Sequence, residues 1–230
     1  METIILLHGA IGSKEQLIPL ADLLKNEWEL HTLNFSGHGG EPINKSFSIT
    51  LFADNVIKYM QANNIKKAHF FGYSMGGYVA LYLAKHFPEK VITVFTLATK
   101  FEWTLEIATK EIGMLNAEKI AIKLPSFAKE LEKRHSPTNW KEVLLRTAEM
   151  MQQLGIKNVL TLSDFESIKQ PIFISIGDND MMVSLDETIA VYKKLPNANF
   201  MVFPYTQHPI ERIDLAKLSE AINSFVKKHF

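Results

Sequence analysis

Gly72-Tyr73-Ser74-Met75-Gly76-Gly77 stands between an apolar run, Ala68 to Phe71, and a helical pattern, Tyr78 to Phe87. A G-x-S-x-G frame at a strand-to-helix junction is a nucleophile elbow. A turn this tight forces strained backbone angles on the serine and presses strand and helix together. Positions on either side of it then have no room for a Cβ. The segment therefore demands a strand ending at a sheet's carboxyl edge and a helix starting there. It holds a serine oxygen outward beside the amide of Met75.

The rest of the chain fits that demand. Thr3 to Leu7, Glu29 to Asn34, Ala68 to Phe71, Val91 to Ala98, Pro171 to Ile176 and Asn199 to Phe203 read as strands. Being rich in Val, Ile and Phe without polar alternation, they read as buried on both faces. Lys14 to Asn26, Thr50 to Asn63, Met75 to Phe87, Leu185 to Leu195 and Ile210 to His229 read as helices, with Pro88 and Pro196 as stop signals. A βαβ series of this kind predicts an α/β fold with a mostly parallel sheet and helices on both faces. Ligands bind such folds outside the carboxyl ends of the strands.

From Lys100 to Phe165 the rhythm breaks: no strand is evident, and Trp103 to Leu115, Ala117 to Lys123, Ser126 to Arg134 and Thr138 to Leu154 read as helices. We read 1–99 and 166–230 as one core and 100–165 as a helical cap over the carboxyl edge. Ordinary packing helices on one flank are the alternative.

With 230 residues, 47% of them hydrophobic, the chain suits one large domain. Zero formal net charge suggests neither nucleic acid nor an anionic membrane as partner. No cysteine is present, which removes disulfides, thiolate metal sites and cysteine nucleophiles. The N-terminus lacks a basic region and reads as a strand, not a signal peptide; no apolar stretch reaches membrane-span length. The expectation is a cytoplasmic protein.

A serine hydroxyl needs a base, and the base needs an acid to hold its tautomer. Of eight histidines, His208 follows the last strand by a short loop and so faces the same edge as Ser74. His31 and His69 read as packed, and His86, His135 and His229 as exposed helix residues. Within Gly177-Asp178-Asn179-Asp180, Asp180 is the favoured acid, because the third residue after the glycine reaches back toward a histidine. Asp178 competes, since loop aspartates often cap turns. An oxyanion needs two donors. The amide of Met75 is one; the other is sought in His8-Gly9-Ala10-Ile11-Gly12-Ser13, at Ala10 or else Ile11. By itself that segment reads as a glycine turn.

Together these pieces resemble the α/β-hydrolase superfamily, in its compact cap-bearing esterase, lipase and C–C hydrolase branch. The resemblance rests on Leu6-Leu7-His8-Gly9, Asn34-Phe35-Ser36-Gly37-His38-Gly39, the Gly72–Gly77 segment, Gly177–Asp180 and His208, in that order. It implies Ser74 as nucleophile, His208 as base, Asp180 as its orienter, no cofactor and no metal. It also implies a cap where Lys100 to Phe165 falls. Many members begin with an antiparallel hairpin, whereas this chain starts on the His-Gly strand; a sheet of about six strands is expected. Asn34-Phe35-Ser36 lacks the family's usual nearby aspartate or arginine, and His208 precedes a proline.

Relatives that act as lyases on menaquinone precursors carry a basic residue where Tyr78 stands. With only Arg134, Arg146 and Arg212 as arginines, a multiply anionic substrate is disfavoured, although Lys100 is placed to serve one carboxylate. Serine as nucleophile argues against dehalogenase or epoxide hydrolase chemistry. Trp103, Met114, Leu115, Trp140, Met150 and Met151 suit an apolar acyl pocket or ordinary packing. The expected activity is hydrolysis of a small, mostly apolar ester or thioester. C–C cleavage by the same triad, and a binding protein with little turnover, are the alternatives.

Overall fold

A computed structural model describes residues 1–229. Six strands form one sheet: β1 (Thr3–Leu7), β2 (Glu29–Thr32), β3 (Ala68–Tyr73), β4 (Val91–Leu97), β5 (Ile172–Gly177) and β6 (Ala198–Phe203), in the order β2-β1-β3-β4-β5-β6. All five pairings are parallel. The chain leaves β1 toward one edge and returns at β3 to build toward the other. Its topological switch point therefore lies between β1 and β3, where sheets of this kind open a crevice.

Side chains alternate across the sheet with the period of two that a strand imposes. Ile5, Leu7, Phe70, Val94, Ile172 and Ile174 pack on one face, with α2 (Ile49–Ala62) and α3 (Met75–His86). Ile4, Leu6, Phe71, Phe95 and Leu97 pack on the other, with α1 (Ile18–Leu24) and α10 (Leu215–Lys227). Leu218, Ile222, Phe225 and Val226 recur at helical spacing and turn one face of α10 inward. Caps mark the helix starts: the Ser48 hydroxyl accepts from Leu51 N, and the Asp214 carboxylate from Lys217 N.

Burial on both faces holds for the central strands only. β2 and β6 are edge strands with one neighbour each, and Met201 and Val202 of β6 are exposed. The helix expected over Lys14 to Asn26 is a 3₁₀ turn, Lys14–Leu17, followed by the shorter α1. Pro19 lacks the amide a continuous helix would need and sits instead in the first turn of α1.

Between β4 and β5 lie α4 (Leu105–Met114), α5 (Ala117–Lys123), α6 (Pro125–His135), α7 (Trp140–Ile156) and the single turn α8 (Leu162–Phe165). Ile120, Ala128, Leu131, Trp140 and Leu144 form a small core of their own within this helical insert. Val143, Met150 and Leu154 of α7 join the main core. The crossover helix between β5 and β6, α9 (Leu185–Tyr192), starts at a capping box of Ser184 and Glu187.

Candidate active site

Ser74 has φ 51° and ψ −118°, a strained conformation for a residue with a side chain. Its neighbours hold it there. The Ser74 amide donates to Leu97 O at 2.8 Å, and Thr99 Oγ1 donates to Ser74 O at 3.1 Å. The glycines answer to close approach: a Cβ on Gly72 would lie 2.4 Å from Gly77 Cα, and one on Gly76 only 2.3 Å from Leu7 O. The serine side chain makes no helix cap, so the Met75 end of α3 keeps unspent N–H groups.

Asp180 and His208 come together across neighbouring loops. His208 Nδ1 donates to Asp180 Oδ2 at 2.8 Å, and the aspartate side chain is 1% exposed. Asp180 Oδ1 accepts from Met182 N at 2.8 Å and Val183 N at 2.9 Å, which fixes its rotamer. Asp178 is exposed and does something else. Its Oδ1 accepts from Thr206 N at 3.0 Å, and amides at Tyr205 and Thr206 hold its carboxyl below the usual range. It fastens the loop after β5 to the loop after β6, helped by Asn179 N donating to Thr206 O at 3.0 Å. Tyr73 completes the support, its phenol donating to His208 O at 3.0 Å. No local sequence signal marks Tyr73 for that task.

Ser74, His208, Met75, Ala10 and Ile11 all border one cavity of about 510 Å³. The loop after β1 lies against the serine: a Cβ on Gly9 would stand 3.2 Å from Ser74 Cβ. Ile11 adopts φ 51°, costly for a β-branched residue. Its carbonyl accepts from both Arg134 and His135 of α6, each at 3.0 Å. Trp103, Leu115, Met150 and Met151 line the cavity. Of the other two insert residues considered, Met114 is exposed and Trp140 belongs to the insert's own core.

Lys100 is not the free cation that the sequence suggests. Its Nζ donates to Met182 O at 2.9 Å and lies 3.6 Å from Glu187 and 3.9 Å from Glu111. Two carboxylates already share its charge. Tyr78 is buried, and its hydroxyl accepts from Leu160 N at 3.0 Å and is bonded to Asn158.

His135, expected on an exposed helix face, is fully buried. Its Nε2 donates to Ile11 O while its Nδ1 accepts from Gly39 N at 3.1 Å, so the ring joins α6 to the loops after β1 and β2. Sequence carries no signal for this because both partners lie about a hundred residues away. His8 behaves alike, donating from Nδ1 to Gly9 O at 2.8 Å and accepting at Nε2 from Phe35 N at 3.2 Å. His38 lies between them, 5.2 Å from His8 and 5.8 Å from His135 by ring centroids.

Burial lowers the pKa of His8 and His135 to about 4 each, and that of His38 well below its ordinary value. A charge on His135 would also repel one on His8, and Arg134 opposes both, with Glu15 the one acidic counterweight at His8. An unfolded chain protonates His8 and His135 near 6.5; the folded one does not until about 4. Between those limits the unfolded state binds more protons, so stability is full above pH 6.5 and falls as pH drops toward 4. For His8 and His135 the loss is about 3 kcal/mol each. Chemical denaturation at pH 7.5, 6, 5 and 4.5 should show this decline, and His135→Gln should lessen it while leaving the His8 part. A denaturation midpoint independent of pH across that range would contradict neutral buried rings.

No group of three or more His, Asp or Glu residues placed to hold a metal ion occurs among the described residues, nor a helix long and apolar enough to cross a membrane.

Known proteins share this architecture. RutD from Acinetobacter baylyi, provisionally named a carbamate hydrolase, is 23% identical over 226 residues, covering 86% of this chain and 83% of its own. The pimeloyl-[acyl-carrier protein] methyl ester esterase of Neisseria meningitidis is 32% identical over 91 residues, 40% of this chain and 34% of that protein. Among solved structures, the enol-lactonase of Burkholderia xenovorans superimposes with a TM-score of 0.80 at 17% identity, covering 98% of this chain and 91% of its own. A family model described as alpha/beta hydrolase fold matches residues 2–130, more than half of the chain. With its six parallel strands and the strained serine turn that ends β3, the chain belongs to the α/β-hydrolase fold family.

Proposed function

We propose that the protein is a serine hydrolase that cleaves a small, mostly apolar carboxylic ester or thioester through an acyl-enzyme. The observation that carries this reading is the 2.8 Å bond from His208, which lines the same cavity as Ser74, to the buried Asp180 carboxylate behind it. Ser74 Oγ attacks the acyl carbonyl while His208 Nε2 takes its proton. Asp180 keeps the other ring proton on Nδ1, so that Nε2 presents a lone pair. The amide of Met75, with that of Ala10 or Ile11, receives the oxyanion. His208 then protonates the departing alkoxide and draws a proton from water for deacylation.

In this reading residues 100–165 form a cap over the core of 1–99 and 166–230. The cap supplies Trp103, Leu115, Met150 and Met151 to an acyl pocket. The names of the relatives support an acyl carbon with a heteroatom leaving group: a methyl ester, an enol-lactone and a carbamate.

The test is intact-mass analysis after treatment with a fluorophosphonate, with the adduct mapped to a peptide. One stoichiometric adduct on Ser74 is expected, since phosphonylation needs both an activated serine and oxyanion donors. A folded protein that takes up no adduct, or takes it elsewhere, would remove Ser74 from the mechanism and turn attention to binding without turnover.

A further inference from the structure

Glu111 of α4 is 3% exposed, yet it borders the same cavity as Ser74 and His208. Among the described residues its carboxylate accepts no hydrogen bond. Its nearest cation, Lys100 Nζ, stands 3.9 Å away, beyond hydrogen-bond reach. Lys100 is also engaged elsewhere, with Met182 O and Glu187. Glu187 is saturated: Phe101 N at 2.8 Å and Glu102 N at 3.3 Å fill one oxygen, and Ser184 N and Oγ at 3.1 and 3.2 Å fill the other. One lysine therefore faces two carboxylates, and only the one on the cavity wall lacks donors. Of the other charges of the cavity, Arg134 pairs with Glu130, while Glu211 and Arg212 have the neutral amides of Gln16 and Gln207 as hydrogen-bond partners.

A carboxylate that lacks protein donors and opens on a cavity is expected to meet donors in what fills that cavity. We infer that Glu111 is a specificity residue that binds an ammonium group, and more weakly a hydroxyl, carried by the substrate away from the scissile carbonyl. The inference rests on the serine hydrolase reading and narrows it: the substrate would present an ammonium group to Glu111 on the wall of a mostly apolar pocket. Burial raises the Glu111 pKa, and the nearby Lys100 opposes part of that rise. A carboxylate tail is disfavoured at this place because Glu111 would repel it.

The test compares methyl 6-aminohexanoate, methyl heptanoate and monomethyl adipate, together with butyrate esters that carry the same three head groups on the alcohol side. On at least one side, kcat/KM should favour the ammonium ester over its methyl isostere by roughly 10- to 100-fold, the range a charge-assisted hydrogen bond supplies. The carboxylate ester should rank last. In Glu111→Gln the ratio of ammonium to methyl ester should fall at least about tenfold, read within the variant. An unchanged ratio, or a wild type that prefers the carboxylate, overturns the proposal.

Calorimetry on Ser74→Ala separates this from the catalytic reading. Hexylammonium should bind about tenfold more tightly than hexanoate there, and equal affinities sink the Glu111 assignment whether or not any ester is turned over. Turnover of methyl heptanoate without ammonium preference would leave the hydrolase standing and remove the subsite alone.

Discussion

Replacement of Ser74 by alanine should lower ester turnover by about 10⁶-fold in kcat, the scale on which nucleophile deletions act when triad members work as a unit. The residue left behind still sits beside the amides of the loop after β1 and of α3. A small background above water therefore remains, without a covalent intermediate and without fluorophosphonate labelling. The fold should be intact. Ser74 makes no side-chain cap, and the hydrogen bonds that hold its strained backbone belong to its own N–H and C=O. A melting temperature within about 2 °C of the parent is expected. Residual activity close to the parent's would take Ser74 out of the chemistry.

The second large effect separates two aspartates two residues apart. Asp180→Asn should cost about 10⁴ in kcat, for a reason visible in the hydrogen bonds. One carboxylate oxygen must accept from the amides of Met182 and Val183, so an asparagine places its carbonyl there. Its NH₂ is then turned toward His208 Nδ1, where it can only donate. The imidazole must move its proton to Nε2 and loses the lone pair that would take the serine proton. Asp178→Asn keeps an oxygen for the Thr206 amide and should cost less than about tenfold, since it weakens only neutral-to-charged hydrogen bonds at the surface, none of them to His208. The reverse ranking of the two variants would reassign the acid.

Much of this architecture is legible in the order of the residues. The alternation of apolar runs and helical patterns implies a parallel sheet, and the glycines around Ser74 imply a junction with no room for side chains. That Asp180 and His208 meet is also readable, because each follows the carboxyl end of a strand and β5 neighbours β6. What escapes is what depends on distant partners. Edge position, not composition, exposes β6. Arg134 and His135 read as ordinary residues near a helix end until Ile11 O is seen between them. Lys100 reads as a free cation until Glu187 and Glu111 arrive from α9 and α4. Glu111 itself is one of many acidic residues on mixed-charge helices, and no spacing sets it apart.

The bond pair on Ile11 O also limits how such a chain can be recombined. Two donors from one helix hold a single carbonyl of a loop more than a hundred residues earlier in the chain, and the same histidine ring takes the Gly39 amide. The strained loop beside Ser74 is therefore the joint product of the sheet and the helices inserted into it. A graft that exchanged residues 100–165 for the helices of a relative would keep every residue of the serine turn. Without an equivalent of Arg134 and His135, it would strip the Ile11 carbonyl of both donors. In such chimeras the seam to preserve is at α6, not at the two strand ends where the insert is joined.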